Sequence, residues 1–335
     1  MDKITLPLVT IVIPCRNEEK HIAKCLDAVL AQDYPGGRFE IIVVDGASTD
    51  GTRRILESYA KKDRRIRMLD NEKIFTPFAF NLGIQSAKGE VVAIMGAHAD
   101  YQNDYLSKCV YYLNEYGADN VGGRMITLSR NGTIMGKAIV RALSSPFGVG
   151  DSHFRMKSNE PKWVDTVFGG CYRKEIFDKI GFFNEKLTRG QDMEFNVRLK
   201  KSGGKILLAP DIICRYYARS DLKDFFIHDF YGGTWVIFSR KFTKESLRLR
   251  HYLPASCFLF AVLFAVAGFF WPGFWPVLWF LAAFYILLSL FFSVKISVKE
   301  RDWRYAFLMP VAFGSRHLAY ALGSMNGFLK LIFTK

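Results

Sequence analysis

Between Ala255 and Val294 the sequence carries no charged residue. A helix needs roughly 20 predominantly apolar residues to cross the hydrocarbon core of a bilayer, so this run is long enough for two passes. It is interrupted by WPGFWP, Trp271 to Pro276, where two prolines and a glycine turn the chain and the tryptophans suit a membrane interface. The expected elements are transmembrane helices at about 254–271 and 275–294. The competing arrangement, a buried hairpin inside a soluble protein, fits an uncharged segment of this length poorly.

Arg240, Lys241, Lys244, Arg248 and Arg250 precede the first span, and Lys295, Lys299, Arg301 and Arg304 follow the second. Positive residues stay inside, which makes this a multi-pass protein of the inner (cytoplasmic) membrane with its first 250 residues facing the cytoplasm. The N-terminus shows no signal-peptide pattern, and the six cysteines include no C-x-x-C pair, so no disulfide framework is expected. The segment Tyr305 to Phe328 is apolar yet has Arg316 and His317 near its middle; spanning, re-entering and lying flat all remain open. Asp221 to Phe242 mixes aromatics with charges, and 221–250 is read as an amphipathic interfacial segment. The net charge of +14 suits anionic lipid headgroups or phosphates. A merely solvated basic surface explains scattered Lys and Arg but not their clustering beside the spans. No motif supports nucleic-acid binding.

The N-terminal part alternates β-rich runs with helical patterns. Leu8 to Cys15 reads as a strand, EEKHIAKCLDAVLAQ as a helix, Phe39 to Gly46 as a strand and TRRILESYAKK as a helix. RIRMLD is a third strand, followed by a helix from about Pro77 to Ser86 and the strand VVAIM. Such alternation predicts an α/β domain over 1–220, with a mostly parallel sheet and helices on both faces, ahead of a membrane domain over 251–335.

Open α/β sheets bind ligands beyond the carboxyl ends of their strands. Here those ends carry Pro14, Arg16 and Glu18, then Asp45, then Gly96, Ala97 and His98. Asp50 lies in S-T-D-G-T, which is good N-terminal helix chemistry. Asp45 closes a run of β-formers, where an acid needs a partner; a turn cap and a ligand contact are both open.

TIVIPCRNEEKHIAKCLDAVLAQDYP followed by EIIVVDGASTDGT resembles the donor half of the family 2 inverting glycosyltransferases, which have the GT-A type of fold. The resemblance continues through FNLGIQSAKGEVVAIMGAHADY and DTVFGGCYRKEIFDKIGFFNEKLTRGQDMEFNVRLKKSGGKILLAPD, covering roughly residues 7 to 211 in the family's order. The spacing and the C-terminal hairpin are most similar to succinoglycan-type membrane enzymes that extend lipid-linked oligosaccharides.

That resemblance implies roles for individual residues. Asp45 would accept from the uracil or ribose of a UDP-sugar, with the loop Pro14 to Glu18, including Arg16, walling the base; a carboxylate suits the imide N–H of uracil. Asn81 and Gly83 match a pattern beside the nucleotide, while starting or packing a helix is their equally good structural role. The family's Asp-x-Asp signature is replaced by Gly96-Ala97-His98, so the first acid is missing. His98 stands where a divalent cation, Mn²⁺ or Mg²⁺, would be contacted, and Asp100 lies two residues on. Imidazole tolerates Mn²⁺ better than Mg²⁺. Direct ligation by His98, replacement by Asp100 and weak metal dependence are all open.

Asp192 matches the family's base, which takes the acceptor hydroxyl proton during inversion; a helix N-terminal acid favoured by the dipole is its structural alternative. Gln191 stands where the family usually has Glu, and the loss of that charge is expected to lower the pKa of Asp192. Arg189 and Gln191 are placed on the acceptor side. GVGDSHFRMKSNEPKWVDTVFGG reads as a flexible lid in which Arg155 and Lys157 would meet a lipid diphosphate, and Gly169 and Gly170 would admit an acceptor sugar or form a tight turn.

Two firm spans are too few for a polymer channel, and the Gln-x-x-Arg-Trp of processive members is reduced to Trp235 in YGGTW. The function implied is a single sugar transfer from a UDP-sugar to a polyprenyl-diphosphate-linked saccharide in surface glycan assembly. Transfer to polyprenyl phosphate itself is the nearest alternative. A membrane-tethered nucleotide-sugar-binding protein without catalysis is the alternative from another class, and Gly96 and Gln191 lend it weight.

Overall fold

The computed structural model describes residues 6–150, 153–156, 159–243 and 251–333. Two compact units are present: Met1–Ile126 with His153–Tyr216, and Thr127–Ser152 with Tyr217–Lys335.

The first unit opens with β1 (Val9–Cys15), α1 (Ile22–Leu30), β2 (Phe39–Asp45), α2 (Thr52–Lys62), β3 (Ile66–Asp70), α3 (Thr76–Gln85) and β4 (Val91–Ile94). These are the seven elements anticipated from the sequence, displaced by a few residues at most. The chain continues through β5 (Ala99–Tyr101), α4 (Tyr105–Glu115) and β6 (Asn120–Ser129). After α5 (Ile134–Ala142) and α6 (Pro146–Val149) come β7 (Lys162–Trp163), β8 (Cys171–Arg173), α7 (Glu175–Ile180), α8 (Gln191–Lys201) and β9 (Ile206–Ala218).

Among the described residues the sheet runs β3-β2-β1-β4-β8-β6-β9-β5, with β7 against β9. Its first half is parallel, in register Cys15↔Asp45, Asp45↔Asp70 and Val12↔Ile94. β8 pairs antiparallel with β4 and β6, and β9 antiparallel with β5 and β7, so the sheet is mixed. The parallel strands read as unbroken apolar runs because both faces are covered. Val9, Ile11, Ile13, Ile41 and Val43 face one core, with α1 and α4; Val12, Ile42, Val44, Val92 and Ile94 face the other, with α3 and α8. The parallel register therefore brings the carboxyl ends of β1, β2 and β4 to one edge of the sheet.

The second unit contains α5 and α6 together with α9 (Leu222–Phe238), α10 (Leu253–Phe270), α11 (Phe274–Glu300) and α12 (Arg304–Phe333). α10 and α11 are long and apolar enough to cross a membrane. They expose Phe269, Phe270, Trp279, Phe280 and Leu287, side chains that a soluble core helix would cover. α11 runs on past Val294 through Lys295 and Lys299 to Glu300. Lys244, Arg248 and Arg250, part of the basic flank, lie outside the described residues.

α12 is one helix, with Pro310 inside it, and accounts for the polar pair in its apolar sequence. Arg316 Nη1 donates to Asp229 Oδ2 on α9 at 2.7 Å, and Arg316 Nε donates to the Gly148 carbonyl at 2.5 Å. His317 Nε2 lies 2.9 Å from the Phe147 carbonyl and its Nδ1 3.0 Å from Tyr285 Oη. The Phe147 ring packs against Tyr285, Phe292, Phe313 and His317. α9 and α12 approach closely at glycines: a Cβ at Gly233 or Gly323 would overlap a carbonyl of the facing helix, Tyr320 O or Phe230 O. Ala138 and Ala142 of α5 pack with Tyr305, Met309 and Phe313. Residues 127–150 thus pack with these helices in the second unit.

Candidate active site

The loops beyond β1 and β2 are laced together. Asn17, in left-handed backbone at φ 54°, donates from its amide to Ser48 Oγ at 2.9 Å, and its side-chain oxygen accepts from the Thr49 amide at 2.8 Å. The Glu18 amide donates to Thr52 Oγ1 at 2.7 Å, and the Gly51 amide to Glu19 Oε2 at 3.2 Å. Asp50 accepts from the Thr52 amide at 3.0 Å, the helix-start role read from the sequence. Arg16 is exposed beside this cradle and Pro14 is half-buried in β1. Asn17 and Ser48 were not singled out in the sequence, although R-N-E-E and A-S-T-D are their signal.

Asp45 is buried, and the acid has found partners. Ser48 Oγ donates to Oδ1 at 2.5 Å and Arg53 Nη1 lies 3.6 Å from Oδ2. The Asp45 carboxylate is thus already oriented at the end of β2, with a hydroxyl and a guanidinium holding its charge.

At the end of β4, Ala97 is buried and His98 is open, its Nδ1 lying 3.2 Å from Glu18 Oε1 and its ring tilted against Tyr216 at 5.9 Å. Asp100, in β5, is drawn to Lys24 Nζ at 2.7 Å. Among the described residues no three His, Cys, Asp or Glu side chains form a metal-holding group. Mg²⁺ commonly takes only one or two protein ligands and completes its shell with substrate phosphates and water, so a cation here would need the nucleotide's oxygens beside His98.

Gly169 and Gly170 both have positive φ, 70° and 113°, and the Gly170 carbonyl accepts from the Ile94 amide at 2.9 Å. A Cβ at Gly170 would meet the Tyr172 ring at 2.6 Å. The two glycines therefore allow β8 to begin against the end of β4. Asn81 donates to the Phe183 carbonyl at 2.9 Å and accepts from the Phe183 amide at 3.0 Å, and Gly83 lets α3 approach Val12. Those contacts give both residues a structural role. Arg155 lies over Phe154, 5.5 Å from the ring centre; Lys157 lies outside the described residues.

α8 starts from Gly190, left-handed at φ 74°, and carries Asp192 and Glu194 in its first turn; Arg189 and Gln191 flank that start. Glu194 is engaged by Arg198. Asp192 has no salt-bridge partner among the described residues and keeps a face open to solvent. The surrounding protein nevertheless desolvates its carboxyl, which pushes the pKa up against the opposing pull of the Met193 and Asp192 amides. Gln191 adds no like charge to that rise, which desolvation sets. Tyr172 is close enough for Asp192 to help raise its phenol pKa, after burial, so Asp192 stands at the same end of the sheet as the Gly169–Gly170 turn. Gln191 Oε1 is buried without a hydrogen-bond partner among the described residues.

The sequence model of glycosyl transferase family 2 matches residues 10–181. The chain belongs to that family. This glycosyltransferase is 32% identical, over 96% of its length and 97% of the relative's, to the dolichyl N-acetyl-α-D-glucosaminyl phosphate 3-β-D-2,3-diacetamido-2,3-dideoxy-β-D-glucuronosyltransferase of Methanococcus voltae. It is 30% identical to the succinoglycan biosynthesis protein ExoA of Rhizobium meliloti over 79% of this chain and 80% of that one. In fold the glycosyltransferase is similar to a mannosyltransferase of Pyrobaculum calidifontis solved with GDP-mannose and Mn²⁺, at a TM-score of 0.60 and 18% identity, covering 96% of this chain and 88% of the other. The GT-A-like architecture read from the sequence is the one the glycosyltransferase adopts.

Proposed function

We propose that the enzyme transfers a sugar, with inversion, from a UDP-sugar to a saccharide carried on a polyprenyl phosphate or diphosphate at the cytoplasmic face of the membrane. The observation that carries this reading is the full-length similarity to the Methanococcus voltae enzyme, whose name describes addition to a dolichyl-phosphate-linked N-acetylglucosamine. The exposed apolar helices α10 and α11 support a lipid-borne acceptor, and their basic flanks support a cytoplasmic catalytic unit.

On this reading Asp192 takes the proton of the acceptor hydroxyl as that oxygen attacks the anomeric carbon. The bond from that carbon to the diphosphate oxygen breaks, its electron pair leaves with UDP, and attack opposite the leaving group inverts the configuration. Asp45, held by Ser48, receives the uracil imide N–H. On this reading Arg155, Gly169, Gly170, Arg189 and Gln191 serve the acceptor. A divalent cation, when bound at His98, would neutralise charge gathering on the diphosphate.

The test is acceptor-dependent UDP release across a panel of UDP-sugars with a polyprenyl-linked saccharide. Release without a lipid-linked product would leave only donor hydrolysis, and product on bare polyprenyl phosphate would select the alternative synthase.

A further inference from the structure

The family signature at the end of β4 lacks its first acid, yet nothing blocks one there. A Cβ built on Gly96 meets only Tyr101 Oη, at 3.9 Å. The carboxylate nearest to His98 comes instead from the loop after β1, as Glu18 Oε1 lies 3.2 Å from His98 Nδ1. Asp100, the other acid near this turn, is committed to Lys24 at 2.7 Å.

Glu18 is fixed from its backbone. Its amide donates to Thr52 Oγ1 at 2.7 Å, and its carbonyl accepts from the His21 and Ile22 amides at 2.8 Å each. Its side chain is 19% exposed and that of His98 is 43% exposed, so both reach solvent side by side. Two ligands at cis positions of an octahedral ion with bonds of about 2.1 Å stand about 3.0 Å apart. The Glu18–His98 separation of 3.2 Å is close to that span.

We infer that Glu18 supplies the carboxylate that position 96 lacks, and that Glu18 and His98 together hold the divalent cation beneath the donor diphosphate. The inference rests on the proposed nucleotide-sugar reading and deepens it. One imidazole and one carboxylate leave four octahedral positions for diphosphate oxygens and water, which makes cation affinity depend on the nucleotide. The imidazole favours Mn²⁺ over Mg²⁺.

The experiment uses the full chain in detergent and titrates Mn²⁺ by electron paramagnetic resonance, with and without UDP, alongside UDP calorimetry in EDTA. Wild type should bind Mn²⁺ more tightly with UDP present. Glu18→Gln and His98→Ala should each weaken Mn²⁺ by at least about tenfold, the loss seen even for groups that merely support a ligand. Both variants should keep thermal stability, and UDP calorimetry in EDTA separates loss of the cation from loss of a contact to the base. Gly96→Asp should restore Mn²⁺ binding to Glu18→Gln. Unchanged Mn²⁺ affinity in Glu18→Gln would overturn the Glu18 assignment while leaving the nucleotide-sugar reading intact. A wild type that binds neither Mn²⁺ nor UDP would overturn both.

Discussion

Glu194 and Arg198 are joined one turn apart in α8, where the carboxylate accepts from Nε at 2.7 Å and from Nη2 at 3.1 Å. Arg198 continues to the carbonyls of Ile180 and Phe182, at 2.6 Å and 2.7 Å. The pair is a bracket between α7 and α8, so of the two acids in the first turn only Asp192 is left for chemistry. Asp192→Asn should lower turnover by roughly 10²–10⁴-fold with UDP affinity kept. Glu194→Gln should act mainly on stability. Near-normal turnover in Asp192→Asn, measured as UDP release with acceptor present, would remove Asp192 from the mechanism.

The raised pKa of Asp192 has a sign that can be checked. Its folded value lies above the unfolded one, so the folded state holds the proton longer. Stability therefore falls as pH rises through that window. At neutral pH Asp192→Asn should raise the melting temperature despite its loss of turnover, and the acid limb of the wild-type pH–rate profile should lie above the ordinary aspartate range. An Asn variant less stable than wild type would contradict the desolvated carboxyl.

Asp45→Asn turns part of an acceptor into a donor facing the base. UDP affinity measured by calorimetry should drop by about tenfold or more, the scale of a hydrogen bond to a charged group. Ser48→Ala should weaken it less, because Arg53 still holds the carboxylate. Unchanged affinity in Asp45→Asn would sink the nucleotide role.

In the helical unit, Arg316 and Asp229 have side-chain exposures of 18% and 7%. Removing one partner of a buried pair costs about 3–5 kcal/mol. Arg316→Met or Asp229→Asn should each lower the unfolding temperature in detergent, and the double variant should lose much less than the sum. Full additivity would mean that the two side chains do not act together.

Much of this arrangement was legible in the sequence because short-range rules decide it. The strands β1, β2 and β4 are unbroken apolar runs, and S-T-D-G-T starts α2 as a cap should. The antiparallel half of the sheet was not legible, since β7 and β8 contain only two and three residues and their pairing with β9 and β4 is long-range. The packing of α5 with α12 was equally hidden, because the partners of Ala138 lie at Tyr305 and beyond. The proposed site residues are those that the strand ends carry. Glu18 was read as a wall for the base because nothing in its own neighbourhood reveals that His98, 80 positions away, faces it.

The central claim is lipid-linked sugar transfer driven by Asp192. The most direct measurement is mass spectrometry of the lipid fraction after incubation with UDP-sugars and a polyprenyl-phosphate- or diphosphate-linked saccharide. The account predicts that, with one UDP-sugar, the lipid-linked saccharide gains a single sugar residue in step with UDP release, and that Asp192→Asn forms it at least about a hundredfold more slowly. Contradiction would come from no lipid-linked product with any UDP-sugar, or from the same product forming at the wild-type rate in Asp192→Asn.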